Sequence, residues 1–103
     1  MTSPSRANEQ VACVTITIAK PGYEDRLLGA LNQLVRDVRQ QDGFLQYDLH
    51  RDMEEPRRFF AVENWESKQA FDAHASAPEV EAYRALVADW IEDTSYHPMK
   101  RIA

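Results

Sequence analysis

The chain is 103 residues long, which allows one domain with one small core and excludes a pair of catalytic domains. Twelve Lys and Arg against seventeen Asp and Glu leave a net charge of −5 with the basic residues scattered, so duplex nucleic acid, which needs a concentrated positive surface, is not an expected partner. The 44% hydrophobic share is that of a globular chain, no apolar run approaches the roughly 20 residues of a membrane span, and the single cysteine, Cys13, cannot form an internal disulfide, so a cytoplasmic protein with no membrane partner is expected.

Residues 1–10 are polar, with Pro4 and two serines, and read as a disordered tail ahead of one domain spanning 11–103. Val11–Ala19 alternates Val14, Ile16 and Ile18 against Cys13, Thr15 and Thr17, the period-2 pattern of a strand. After Pro21-Gly22, apolar residues recur at Leu27, Leu28, Leu31, Leu34, Val35 and Val38, which predicts an amphipathic helix from about Tyr23 to Gln41, stopped at Gly43. Phe44–Asp52 reads as a second strand, with Leu45, Tyr47 and Leu49 on one face and Phe44, Gln46, Asp48 and His50 on the other.

A turn at Glu54-Glu55-Pro56 leads into a third strand, Arg57–Glu66. Its faces carry Phe59, Ala61, Glu63 and Trp65 against Phe60, Val62, Asn64 and Glu66. Both are rich in large apolar groups, so helices should cover one and a second copy of the chain the other. Ser67 is a plausible N-cap for a short helix to about Ala75, and Pro78 suits the first position of another with a stripe of Val80, Tyr83, Leu86, Val87, Trp90 and Ile91. Tyr96–Ile102 is read as a last strand, confined by Pro98 to an edge or a bulge. The order β-α-β-β-α-α-β is that of an α+β, ferredoxin-like split βαβ unit with an antiparallel sheet.

No phosphate-binding glycine loop, CxxC pair, HExxH or GxSxG is present, and His50, His74 and His97 have no metal-ligand spacing, so no metal is expected. The block Gly43 to Arg51, the segment Glu63-Asn64-Trp65-Glu66-Ser67-Lys68-Gln69-Ala70, and Ala73-His74 followed by Pro78 resemble the antibiotic biosynthesis monooxygenase family, in particular its quinol monooxygenase-like members. The resemblance implies a dimeric α+β barrel of two ferredoxin-like protomers with a pocket between sheet and helices. It also implies oxidation of a phenol, quinol or anthrone by O2, with neither metal nor flavin as cofactor. Many such members carry a second His five residues after the first; here that position is Glu79.

Ground-state O2 is a triplet, so a cofactor-independent oxygenase must make its substrate an electron donor, most directly by removing a phenolic or benzylic proton. That requires a base and stabilisation of the anion formed. His74 is the candidate base, with helix packing as its other reading, and its protonation should slow the reaction in acid. Glu63 is either its acid/base partner or half of an ion pair. Trp65 offers a flat wall for an aromatic substrate, His50 and Asn64 a polar strand face, and Phe71, Tyr83 and Arg84 further candidate contacts; core packing, an interface or exposure are their other readings. A non-catalytic dimeric ligand-binding module and an isomerase of a small metabolite are the competing functions on the same scaffold.

Overall fold

Cross-strand pairing of β-branched and aromatic residues builds the sheet in a computed structural model that describes residues 9–103. The tail expected at 1–10 lies outside these residues except for its last two. The elements are β1 (Val11–Ala19), α1 (Glu24–Val38), β2 (Phe44–Arg51), β3 (Arg58–Trp65), α2 (Lys68–Ala75), α3 (Pro78–Val87) and β4 (Ile91–Lys100), with one 3-10 turn, Ala88–Trp90, before β4. All three ladders are antiparallel, in the order β2-β3-β1-β4. This is the expected ferredoxin-like α+β arrangement. No helix among the described residues is long and apolar enough to cross a membrane.

The helices cover one face of the sheet, and the strict alternation of β3 separates the two sides. Phe59, Ala61, Glu63 and Trp65 are buried under the helices, whereas Phe60, Val62 and Asn64 are half-buried on the other side. β1 shares this division, with Cys13 and Thr17 inward and Val14, Ile16 and Ile18 outward. A strand covered on one side normally turns its apolar row inward. Here the β-branched row faces the side that one chain leaves open.

α1 buries Leu27, Leu31, Leu34, Val35 and Val38, the predicted stripe, but ends three residues earlier than expected. The Gln40 and Gln41 amides bond the carbonyls of Asp37 and Val38, three residues back, so the last turn tightens and the helix stops. Gly43 then takes φ +80°, and its carbonyl accepts the Glu66 amide at 2.9 Å. A methyl group there would run into Ala70 Cβ, so the turn needs glycine for its backbone angle and for space.

Three expectations are corrected. The β2 register shifts between Phe44 and Gln46, so Phe44 packs against the core and Leu45 is 48% exposed, the reverse of simple alternation. Leu86, placed on the inner stripe of the last helix, is 58% exposed, because that helix stops at Val87 and buries mainly Val80 and Val87. Trp90 and Ile91 leave the helix, and β4 runs over Ile91–Lys100 instead of Tyr96–Ile102, since pairing with β1 from Ala19↔Ile91 onward overrides the local helical stripe. Pro98 is accommodated opposite Cys13 because β4 is an edge strand.

Candidate active site

Ser67 caps α2 by accepting the Ala70 amide at 3.1 Å, which sets the helix against the end of β3 and turns His74 into the core. His74 is 8% exposed and stacks on the Trp65 indole with ring centroids 4.5 Å apart and planes at 23°. The Trp65 indole N–H donates to Glu63 Oε1 at 2.8 Å, and the same oxygen lies 3.4 Å from His74 Nε2, a close approach that is long for a hydrogen bond. The Tyr47 ring meets the imidazole edge-on at 5.7 Å. Two titratable groups are thus held side by side in a region with hardly any solvent.

Burial decides their charge. Desolvation pushes the Glu63 carboxyl up to about 7, and the Trp65 N–H offsets only part of this. It pushes His74 down to about 4, helped by the Arg84 guanidinium and opposed by Glu79. At neutral pH the imidazole is therefore uncharged and the carboxyl is near its midpoint. The expectation that His74 protonation controls an acid limb is accordingly revised; in the neutral range the group that titrates is Glu63. Both displaced values occur in a pair facing a cavity, the pattern of acid/base sites.

The cavity has a volume of about 250 Å³ and lies between the inner sheet face and the helices. Leu31, Leu34, Phe59, Phe71, Val80 and Val87 make its walls apolar. Glu63 and His74 interrupt that wall, joined by Cys13, Thr15 and Thr17 from β1 and by Tyr47 and Tyr83, whose phenols burial holds well above their usual range. Exposed Arg84 and Tyr96 rim the mouth; the Arg84 guanidinium lies 6.0 Å from the Tyr96 ring centre and donates to the Ala75 carbonyl at 3.0 Å. Among the described residues no three His, Cys, Asp or Glu converge as metal ligands.

Of the residues singled out in the sequence, His74, Glu63, Phe71, Tyr83 and Arg84 come together around this space. Trp65 does not line it: the indole is 0% exposed and sits behind the imidazole, where it orients Glu63 and His74 instead of offering a stacking wall. Asn64 and His50 point to the other side of the sheet, Asn64 donating to Gln46 and His50 exposed opposite Phe60, because neighbouring strand residues face opposite ways. Three residues were missed. Tyr47 was placed on the correct face but given no role, Tyr96 lay in a strand expected to begin with it, and Gln41, whose Oε1 is 2.8 Å from His74 Nδ1, has no local signal at all. The signal within reach was the polar row Cys13, Thr15 and Thr17 with Glu63 on faces otherwise destined for burial.

The model of the family described as antibiotic biosynthesis monooxygenase matches residues 10–86. Among solved structures, a Shewanella oneidensis protein superimposes with a TM-score of 0.88 at 28% identity, over 93% of this chain and 95% of that one. A Pseudomonas aeruginosa protein shares the fold at TM-score 0.86 and 24% identity, over 92% and 96%. A mycobilin-producing heme oxygenase of Mycobacterium tuberculosis is 39% identical over 46 residues, a stretch covering 45% of this chain and 44% of that relative.

Proposed function

Because this chain belongs to the antibiotic biosynthesis monooxygenase family, we propose that it oxidises a small electron-rich phenol or quinol with O2 in the cavity beneath α2 and α3, without a bound cofactor. The observation that carries the reading is the Glu63–His74 pair set into a largely apolar wall. A volume of about 250 Å³, just below the roughly 300–1,000 Å³ of typical ligand sites, suits one or two fused aromatic rings better than a tetrapyrrole.

The neutral imidazole takes the phenolic proton at Nε2, and the ionised Glu63 carboxylate stabilises the imidazolium so formed. The phenolate is electron-rich enough to reduce O2, and the resulting oxygen species combines with the ring carbon. One oxygen atom becomes a new carbonyl and the other leaves as water, with both hydrogens of that water drawn from the substrate. Conversion of a phenol to a quinone releases the four electrons that O2 consumes, so no external reductant is required. Apolar walls exclude water from the anion and strengthen each dipole near it.

The test is oxygen uptake with a panel of reduced naphthoquinols, corrected for autoxidation, beside binding of the oxidised forms. Accelerated uptake with one product water per O2 supports the oxygenase. Binding without uptake makes the protein a ligand-binding module.

The working form we propose is a homodimer in which the outer sheet faces meet. Val14, Ile16, Ile18, Phe60 and Val62 form a contiguous half-buried apolar patch there, which a second sheet would cover. Sedimentation should give twice 11.9 kDa at micromolar concentration, and Phe60→Asp should shift the protein toward the monomer by placing a charge in that patch. A variant that still sediments as the parent does would place the contact elsewhere.

A further inference from the structure

His74 carries one proton when neutral, and which nitrogen holds it decides whether the imidazole can act as a base on the cavity side. We propose that Gln41 fixes this choice: its Oε1 accepts the His74 Nδ1–H at 2.8 Å, leaving the Nε2 lone pair directed toward Glu63 and the cavity. This inference rests on the oxygenase reading for its kinetic consequence but not for the tautomer itself.

Gln41 reaches His74 from 33 residues earlier in the chain, from the tightened turn that ends α1. Its other amide atom, Nε2, is buried and has no hydrogen-bond partner within bonding geometry. A buried donor left unpaired is unfavourable, and such groups concentrate where a side chain is kept for a reason other than stability. The amide is oriented by its surroundings. Glu79 on α3 is held below the usual carboxylate range, first by its own backbone amide at the helix N-terminus and then by the Gln41 amide. A carboxylate on that side calls for the Gln41 NH2 group, at long range, and so turns Oε1 to His74. The reversed amide would set oxygen against the Glu79 carboxylate and force the imidazole proton onto Nε2.

An ionised Glu63 would by itself draw the imidazole proton to Nε2, so the Gln41 oxygen at Nδ1 is the group that must hold it on the other nitrogen. Glu63 faces Nε2 from β3, the Tyr47 ring meets the imidazole from β2, and Arg84 and Glu79 act from α3 with opposite signs. If Nε2 carried the proton, it would donate toward Glu63 and no lone pair would remain on the cavity side. Gln41 is thus a positioning residue that acts through His74 and need not touch substrate.

The experiment is a long-range 1H–15N correlation spectrum of histidine-labelled protein near pH 7, with His74 assigned by its loss in His74→Ala. The expected wild-type spectrum has a protonated Nδ1 and an unprotonated Nε2. Gln41→Leu should move the proton to Nε2, while Gln41→Glu, which retains an acceptor, should keep it on Nδ1. In quinol turnover, Gln41→Leu should lower kcat by roughly 10- to 100-fold with KM nearly unchanged, less than removal of the base itself, and Gln41→Glu should recover most of the loss. A wild-type spectrum with Nε2 protonated overturns the proposal even if Gln41→Leu fails to fold, and so does a Gln41→Leu spectrum identical to the wild type. If no substrate is oxidised, the spectra still decide the tautomer, which separates failure here from failure of the oxygenase reading.

Discussion

Replacing His74 with alanine should lower turnover of a quinol by roughly 10²–10⁴-fold, the usual contribution of a positioned general base. Substrate affinity should change far less, because the imidazole accepts its proton only as the reaction proceeds. The pH dependence assigns the partner. When Glu63 is protonated, its hydroxyl competes for the His74 Nε2 lone pair, so the reactive form needs the ionised carboxylate. With that carboxyl raised to about 7, kcat/KM should climb as pH rises through neutrality. Glu63→Gln should be slow and should lack this limb. His74 itself, at about 4, stays neutral across the range and contributes no limb there. A folded, dimeric His74→Ala protein that turns over within about threefold of the parent would show that the imidazole only packs against Trp65.

The same pair should leave opposing marks on stability. Folding raises the Glu63 carboxyl from 4.5 to about 7, so the folded state binds the proton more tightly, and this contribution is full below about 4.5 and lost as pH rises to 7. Folding lowers His74 from 6.5 to about 4, so its contribution is full above 6.5 and lost as pH falls to 4. Each shift corresponds to about 3 kcal/mol, and over nearly the same interval they run in opposite directions. The wild type should therefore show little net pH dependence from the pair. Glu63→Gln should gain stability from pH 4 to 6.5, and His74→Gln should lose it from pH 4.5 to 7, each relative to wild type. Urea midpoints across this range measure all three proteins, and parallel curves would mean that the two groups are not buried as described.

Much of the fold was legible because its signals are local. The stripe of α1, the alternation of β3, the Ser67 cap and Pro78 at the start of α3 each depend on residues a few positions apart, and each formed where the spacing placed it. The errors fell where a partner from elsewhere in the chain outweighed the local pattern. β1 drew Ile91 into the sheet although Trp90 and Ile91 continued a helical stripe, and the shift between Phe44 and Gln46 exchanged the faces of Phe44 and Leu45.

The candidate site divides along the same line. Amino-acid sequence alone determined the topology, the two-sided apolar character of β3, the place of Glu63 on the Trp65 face of that strand and that of His74 on the short helix after it, because strand and helix periods assign faces without knowledge of neighbours. Only the tertiary structure decided the rest. It set Trp65 behind the imidazole instead of against a ligand, sent Asn64 and His50 to the opposite side of the sheet, and brought Gln41 to His74 across 33 residues. It also set the charges, since the displacement of Glu63 upward and His74 downward comes from desolvation by Leu, Phe and Val side chains on other elements, and burial of that kind is a property of the assembled core, not of any short stretch of chain.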